Sequence, residues 1–157
     1  MNGVAARHSV PTREDIIVKK LCWLALVLLT LHLLMVVLRA GDTPQQAGRK
    51  SAEAWLAAVD AAKYEEAWKQ ASSLLKSRVN RDQLIRSLGD YRGPLGTVKS
   101  RAIKDVTIKD KLPREPKGEY LVLHYSSNFE NKSHVIETLT LTRDSDGHWR
   151  VSGYYIK

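Results

Sequence analysis

Glu137 is the residue whose type and placement most invite chemistry. It falls in the run Val135 to Thr142, where Val135, Leu139 and Leu141 alternate with Thr138, Thr140 and Thr142. A period of two is that of a strand, and it puts Glu137 on the apolar face. A carboxylate on such a face should have a raised pKa, which is how a fold makes a general acid or base near neutral pH. Tyr125 and Tyr155, on strands expected alongside, are candidate companions, and His124 would join them if a bulge turned it inward. With Trp149 these residues would line a pocket around Glu137. An acid/base role requires that Glu137→Gln abolish activity and leave folding intact. The alternative is structural: Glu137 sits near a sheet rim and pairs with a Lys or Arg, or takes a backbone donor. Trp55, Trp68, Trp149, Tyr154 and Tyr155 are then ordinary core aromatics. We take the structural role as the default, with Glu137 the sole catalytic candidate.

Other chemistries lack their residues. His8, His124, His134 and His148 form no pair at ligand spacing with a third donor, so no metal site is expected. There is no glycine-rich phosphate loop, no serine nucleophile elbow and no reactive cysteine, and no cofactor is expected. Asn131-Lys132-Ser133 reads as a turn. Cys22 is the only cysteine, which rules out an intramolecular disulfide. The chain carries a net charge of +8, and residues 42–157 hold 20 Lys/Arg against 15 Asp/Glu. These basic residues are spread out and match no nucleic-acid motif, so nucleic acid is not an expected partner. An anionic membrane surface would attract such a domain.

The elements that would position Glu137 follow from periodicity. Ser51 is a plausible N-cap for a first helix to Asp60, with Trp55, Leu56 and Val59 on one side. A second helix is expected over Tyr64 to Ser77. A third begins at Asn80, with Gln83 completing a cap-like pair, and ends at Gly93-Pro94. The period then changes from helical to alternating. Strands are expected over Val98 to Ile108, Tyr120 to Phe129, Val135 to Thr142 and Trp149 to Ile156, with a turn at Asp146-Gly147. Helices followed by strands mean α+β, here three helices packed on a curved antiparallel sheet of about four strands.

Ahead of that domain lies Leu21 to Leu38, a run with no formal charge, bounded by Lys19-Lys20 and Arg39. About 18 residues at 1.5 Å each reach roughly 27 Å, close to the hydrocarbon thickness of a bilayer. The run reads as a transmembrane anchor over residues 21–39. A cleaved signal peptide is the main alternative, although Leu38 is bulky for a cut after Ala40; a buried core helix would need a polar face that the run lacks. His32 lies inside the run and is expected to be a neutral imidazole bonded within the helices. The basic residues Arg7, Arg13, Lys19 and Lys20 keep residues 1–20 in the cytoplasm and direct the rest outward. In a Gram-negative cell that is the periplasm. Residues 40–50, which include the polar Gly41 to Gly48, read as a linker, and residues 51–157 as the outer domain.

The stretches AEAWLAAVDAAKYEEAW, GEYLVLHYSSNFENKSHVIETLTLTRDSDGHW and WRVSGYYIK resemble a bacterial family known as domain of unknown function 4019. The resemblance covers about Ser51 to Lys157, and RVSGYYIK and FENK…ET…RDSDG-W are its most specific parts. The turn from Asp60 to Tyr64 departs from it, since a glycine is expected near Lys63 and none is present. The order of elements is also similar to nuclear-transport-factor-2-like and cystatin-like architectures, an analogy of fold alone. The resemblance implies an envelope protein and no particular activity. The expected function is that of a single-pass inner-membrane protein whose exported domain is a non-catalytic interaction or scaffold module. Its partner would be an envelope protein or a second copy. The alternatives are small-ligand or lipid binding, or acid/base catalysis, in a concave pocket around Glu137.

Overall fold

The structure, a computed structural model, describes residues 13–37 and 41–157, and for residues 15, 16 and 32–37 the backbone alone. The chain divides into two units, Met1–Gly41 and Asp42–Lys157. The first contains one helix, α1 (Arg13–Val37). Its side chains from Ile17 to Leu31 are exposed, Trp23, Leu24 and Leu29 among them. Among the described residues no helix is long and apolar enough to cross a membrane; Ile17 to Leu31 alone reaches about 22 Å. The side chains of His32 to Leu38, together with Arg39, Ala40 and the tail before Arg13, lie outside the described residues.

The second unit holds α2 (Pro44–Asp60), α3 (Tyr64–Gln70), α4 (Ser73–Arg78), α5 (Arg81–Arg92) and a 3-10 turn at Gly93–Leu95. The strands β1 (Val98–Lys109), β2 (Tyr120–Phe129), β3 (Val135–Arg143) and β4 (Trp149–Ile156) follow. They form one antiparallel meander in the order β1-β2-β3-β4. The class is α+β, and the strands lie where the two-residue period put them.

Two helix boundaries correct the sequence reading. The expected linker is helical from Pro44 on. Thr43 caps α2, accepting from the Gln46 N–H while the Gln46 side chain accepts from the Thr43 N–H, and Pro44 at the first position supplies a preset φ. Ser51 is therefore mid-helix. The expected helix over Tyr64 to Ser77 is two helices. Ala71 pairs with Val151 in a parallel bridge, the Ser72 N–H donates to the Val151 carbonyl at 2.9 Å, and the Ser72 hydroxyl caps α4. The sheet edge captures two residues of extended chain and so breaks the helix.

One face of the sheet is the core. Leu121 and Leu123 of β2, Leu139 and Leu141 of β3, and Trp149 and Val151 of β4 pack on Ala52, Trp55, Leu56 and Val59 of α2, with Ala67 and Leu88 from α3 and α5. α2 lies close on β2 at Gly48, where a Cβ would stand 2.2 Å from Leu121 Cδ2. A bulge then alters the parity of β4. Thr140 faces Gly153 while Leu141 faces Val151, which leaves Ser152 as an extra residue. Trp149 and Val151 point inward before the bulge; Tyr154 and Ile156 point inward after it.

α2 ends in a Schellman turn, with the Lys63 N–H donating to the Ala58 carbonyl and the Ala62 N–H to the Val59 carbonyl. This turn puts Ala62 at φ 54°, the left-handed region that favours glycine. The expected glycine thus has a structural position, one residue before Lys63. Ala62→Gly should stabilise the domain by about 0.5–1 kcal/mol, because relief of the Cβ penalty outweighs the added freedom of the unfolded chain. Thermal denaturation of the two proteins tests this, and an equal or lower midpoint for the variant would show that the turn holds no strain.

Candidate functional site

Glu137 is completely buried. Its strand position faces it inward, between Val135 and Leu139, and the neighbouring elements aim four donor groups at it. Arg101 of β1 donates from Nε to Oε1 at 2.7 Å and from Nη2 to Oε2 at 3.0 Å. The Ser127 hydroxyl of β2 donates to Oε1. The Tyr154 hydroxyl of β4 donates to Oε2 at 2.5 Å. Each carboxylate oxygen thus accepts two bonds, one of them from a cation.

Arg101 continues the network outward. Its Nη1 donates to Asp60 Oδ2 at 2.6 Å and its Nη2 to Asp60 Oδ1 at 3.1 Å. Asp60 is the last residue of α2, and it also accepts from Arg92 Nη2 at 2.9 Å. Arg92, in the last turn of α5, donates from Nη1 to the Gly96 carbonyl at 2.7 Å and lies over the Phe129 ring at 4.4 Å. Two guanidinium groups balance two carboxylates. Burial disfavours the Arg101 cation, but hydrogen bonds to Asp60 and Glu137 outweigh it and hold the proton more tightly than usual. Burial, followed by the charge and hydrogen bond of Glu137, pushes the Tyr154 phenol far above its ordinary range. A carboxylate so saturated has no free lone pair for a substrate proton.

The other candidates are placed as follows. Tyr125 faces Glu137 across β2 and β3 and is buried, but its hydroxyl has no partner among the described residues. Tyr155 lies opposite Thr138, is 64% exposed and does not reach Glu137; the bulge gives that place to Tyr154. Trp149 is buried opposite Arg143, at the far end of β3 from Glu137. His124 stays on the outer face, its Nδ1 3.5 Å from Asp105 Oδ2. Arg101, Asp60, Arg92 and Ser127 are not singled out by sequence, and Tyr154 reads there only as a core aromatic and not as a partner of Glu137. A signal existed for two of them. Asp60 ends a helix, where the helix dipole disfavours an acid, and Arg101 shares the parity of the inward Ile103.

The RDSDG run has a positioning role of its own. Asp144 accepts from the Ser73 N–H and hydroxyl, at 3.2 and 3.0 Å, and from Arg150 at 3.0 Å. Asp146 accepts from the His148 N–H and from Arg150, Gly147 turns at φ 81°, and Arg143 donates to the Gly147 carbonyl. The β3–β4 turn is thereby tied to the start of α4.

On the other side of the Glu137 network a cleft of about 690 Å³ opens between α5 and β4. Trp55 and Tyr154 belong to its lining, meeting edge to face with centroids 5.1 Å apart, as do Leu84, Leu88 and Tyr91 of α5. Among the described residues, Arg92 and Lys132 are the only charged ones that line it, and both are basic.

A family model described as Protein of unknown function (DUF4019) matches residues 51–154. The chain belongs to the DUF4019 family. No curated protein matches it. The matched region of this DUF4019 domain contains the whole network, from Asp60 to Tyr154.

Removing one partner of a buried ion pair leaves the other charge unpaired, at a cost of about 3–5 kcal/mol. Glu137→Gln should therefore destabilise the DUF4019 domain by about that amount in urea denaturation, whereas a catalytic Glu137 requires a fold left intact. Tyr125 behaves differently. Burial, then the negative charge of Glu53, pushes its phenol up to about 12. A folded pKa above the unfolded value of about 10 gives a contribution that is complete below pH 10 and lost as pH rises toward 12. Stability should fall over that alkaline window, and Tyr125→Phe should flatten the fall. At neutral pH Tyr125→Phe should be neutral or slightly stabilising, since its hydroxyl is already unpartnered.

Proposed function

We propose that this protein is a single-pass membrane protein whose outer α+β domain is a non-catalytic binding module that engages an envelope partner through the cleft between α5 and β4. The observation that carries this is the saturation of Glu137. The buried carboxylate on which a catalytic role would rest is committed to Arg101, Ser127 and Tyr154. The cleft beside it is open, apolar and of a size typical of binding sites. Tyr91, which lines the cleft, is 76% exposed. Tyrosine is among the residue types that dominate binding energy when a partner covers them.

Support for the anchor comes from the sequence and from α1. The uncharged run Leu21 to Leu38 has the length of a bilayer crossing, and the described apolar side chains of α1 are exposed on every side. Such a surface calls for cover by lipid or protein. The excess of basic residues before Leu21 directs the N-terminus to the cytoplasm and the DUF4019 domain to the periplasmic side of a bacterial inner membrane.

The native mass of the protein, extracted gently from its own membranes, tests both halves. The expected result is the uncleaved chain together with a protein partner or a second copy. Tyr91→Asp should weaken that association about tenfold or more with no change in the melting midpoint. A mass matching cleavage near Ala40 would remove the anchor. A monomer with a small added mass would replace the protein partner with a small ligand.

A further inference from the structure

One wall of the cleft is a strand at the edge of the sheet. That strand is β4, and its residues Gly153, Tyr154, Tyr155 and Ile156 line the cavity. The Ile136 and Lys157 peptide groups exchange both hydrogen bonds, at 3.0 and 2.9 Å, which fixes the alternation along β4. Tyr155 and Gly153 therefore turn their N–H and C=O toward β3, and Tyr154 and Ile156 turn theirs outward, to the open side. Among the described residues no main-chain or side-chain group bonds to these outward peptide groups. Further back along the same edge, the chain already shows what the edge accepts. Ala71 pairs beside Val151 as a one-residue parallel strand, and the Ser72 N–H donates to the Val151 carbonyl. α4 then leaves the line, and the edge continues uncovered.

We propose that this uncovered edge of β4 receives an extended peptide strand from the partner, whose alternate apolar side chains fill the α5–β4 cleft and whose carboxylate meets Lys132. The inference rests on the reading of the cleft as the binding site and names the chemistry of its occupant. The edge decides between a peptide and an acyl chain. A hydrocarbon tail would bury the outward N–H and C=O groups of Tyr154 and Ile156 without partners, whereas a peptide main chain pairs with them. Side chains of an added strand alternate between the two faces. Those on the inner face meet Leu84, Leu88 and Tyr91. Those on the outer face lie beside the exposed Tyr155 and tolerate polar residues. Charge sets the end group. Arg92 is already bonded to Asp60 at 2.9 Å, while Lys132 makes no ion pair among the described residues and the lining contains no acid. A side-chain carboxylate or a peptide C-terminus satisfies Lys132 equally, and the two are separated by the choice of probe.

The probe is a positional-scanning library of five-residue peptides with alternating apolar positions, in free-acid and amidated pools, offered to the full chain in lipid nanodiscs. Hydrogen exchange of the Tyr154 and Ile156 amides is the readout. The expected result is at least tenfold slower exchange of both with the best free-acid pool and a weaker effect with its amidated counterpart. Acidic residues fixed within amidated peptides would restore the effect if a side chain supplies the carboxylate. Lys132→Glu should erase the difference between acid and amide. Ile156→Pro deletes an outward N–H that β3 does not use, and should abolish protection of Tyr154. Ser87→Trp, at an exposed position of α5 on the cleft, should block binding without touching the sheet and serves if the proline variant fails to fold. No slowing with any pool at about 1 mM peptide, an affinity weaker than roughly −4 kcal/mol, overturns the strand. Dodecanoate bound in the cleft with both amides still exchanging freely also overturns it, yet leaves the cleft a ligand site. Binding of neither peptide nor dodecanoate overturns the strand and the reading of the cleft together.

Discussion

A carboxylate cannot be taken out of water without being matched, and the placing of Glu137 at the centre of a sheet face makes that requirement govern the domain. An isolated ionised carboxylate in an apolar interior costs far more than a domain's whole stability. Arg101 supplies the counter-charge from two strands away, across β2. A second carboxylate, Asp60, and a second cation, Arg92, then complete a neutral set. Such sets contribute little net stability compared with apolar packing, but they tolerate few arrangements. Their effect is to fix geometry. Here they fix where the ends of α2 and α5 meet the sheet.

That fixing accounts for the cleft. α5 is held at its C-terminal end by Arg92, through Asp60, the Gly96 carbonyl and the Phe129 ring. Near its start, Arg81 pairs with Glu65 of α3. Between these ties α5 places only Leu88 fully in the core, while Leu84 packs against the core in part and, with Tyr91, lines the cleft. The β4 bulge completes the arrangement. By changing parity it sends Tyr154 into the network and leaves Tyr155 outside. One inserted residue thus sets both the fourth donor to Glu137 and the aromatic residue on the outer surface.

The extent to which this was legible in the sequence follows from what each feature depends on. The strands were legible because a half-buried sheet enforces alternation, and β2 keeps it from Leu121 to Phe129 and β3 from Val135 to Leu141. The inward position of Glu137 came from the same alternation. The start of α2 was also written locally, as Thr43, Pro44 and Gln46, but its polar composition resembles a linker. The break between α3 and α4 was not local at all, since it depends on Val151, about eighty residues away, offering a carbonyl to Ser72. The same holds for Glu137's partners. Nothing near Arg101 in the chain indicates that it faces a carboxylate on β3, and the choice between Tyr154 and Tyr155 turns on a bulge that two adjacent tyrosines cannot reveal.

The distinction between a catalytic and a positioning carboxylate is finally one of unused capacity. A general base needs a lone pair directed at substrate and a route for water or ligand to reach it. Glu137 has neither, because Arg101 holds both oxygens while Ser127 and Tyr154 take one each, and its exposure is nil. The unused capacity in this domain lies elsewhere, in peptide groups on the edge of β4 and in the apolar surface that faces them. Under the proposed function, a fold whose buried Glu137 holds two helices to a sheet, and which leaves main-chain donors open beside an apolar cleft, serves recognition.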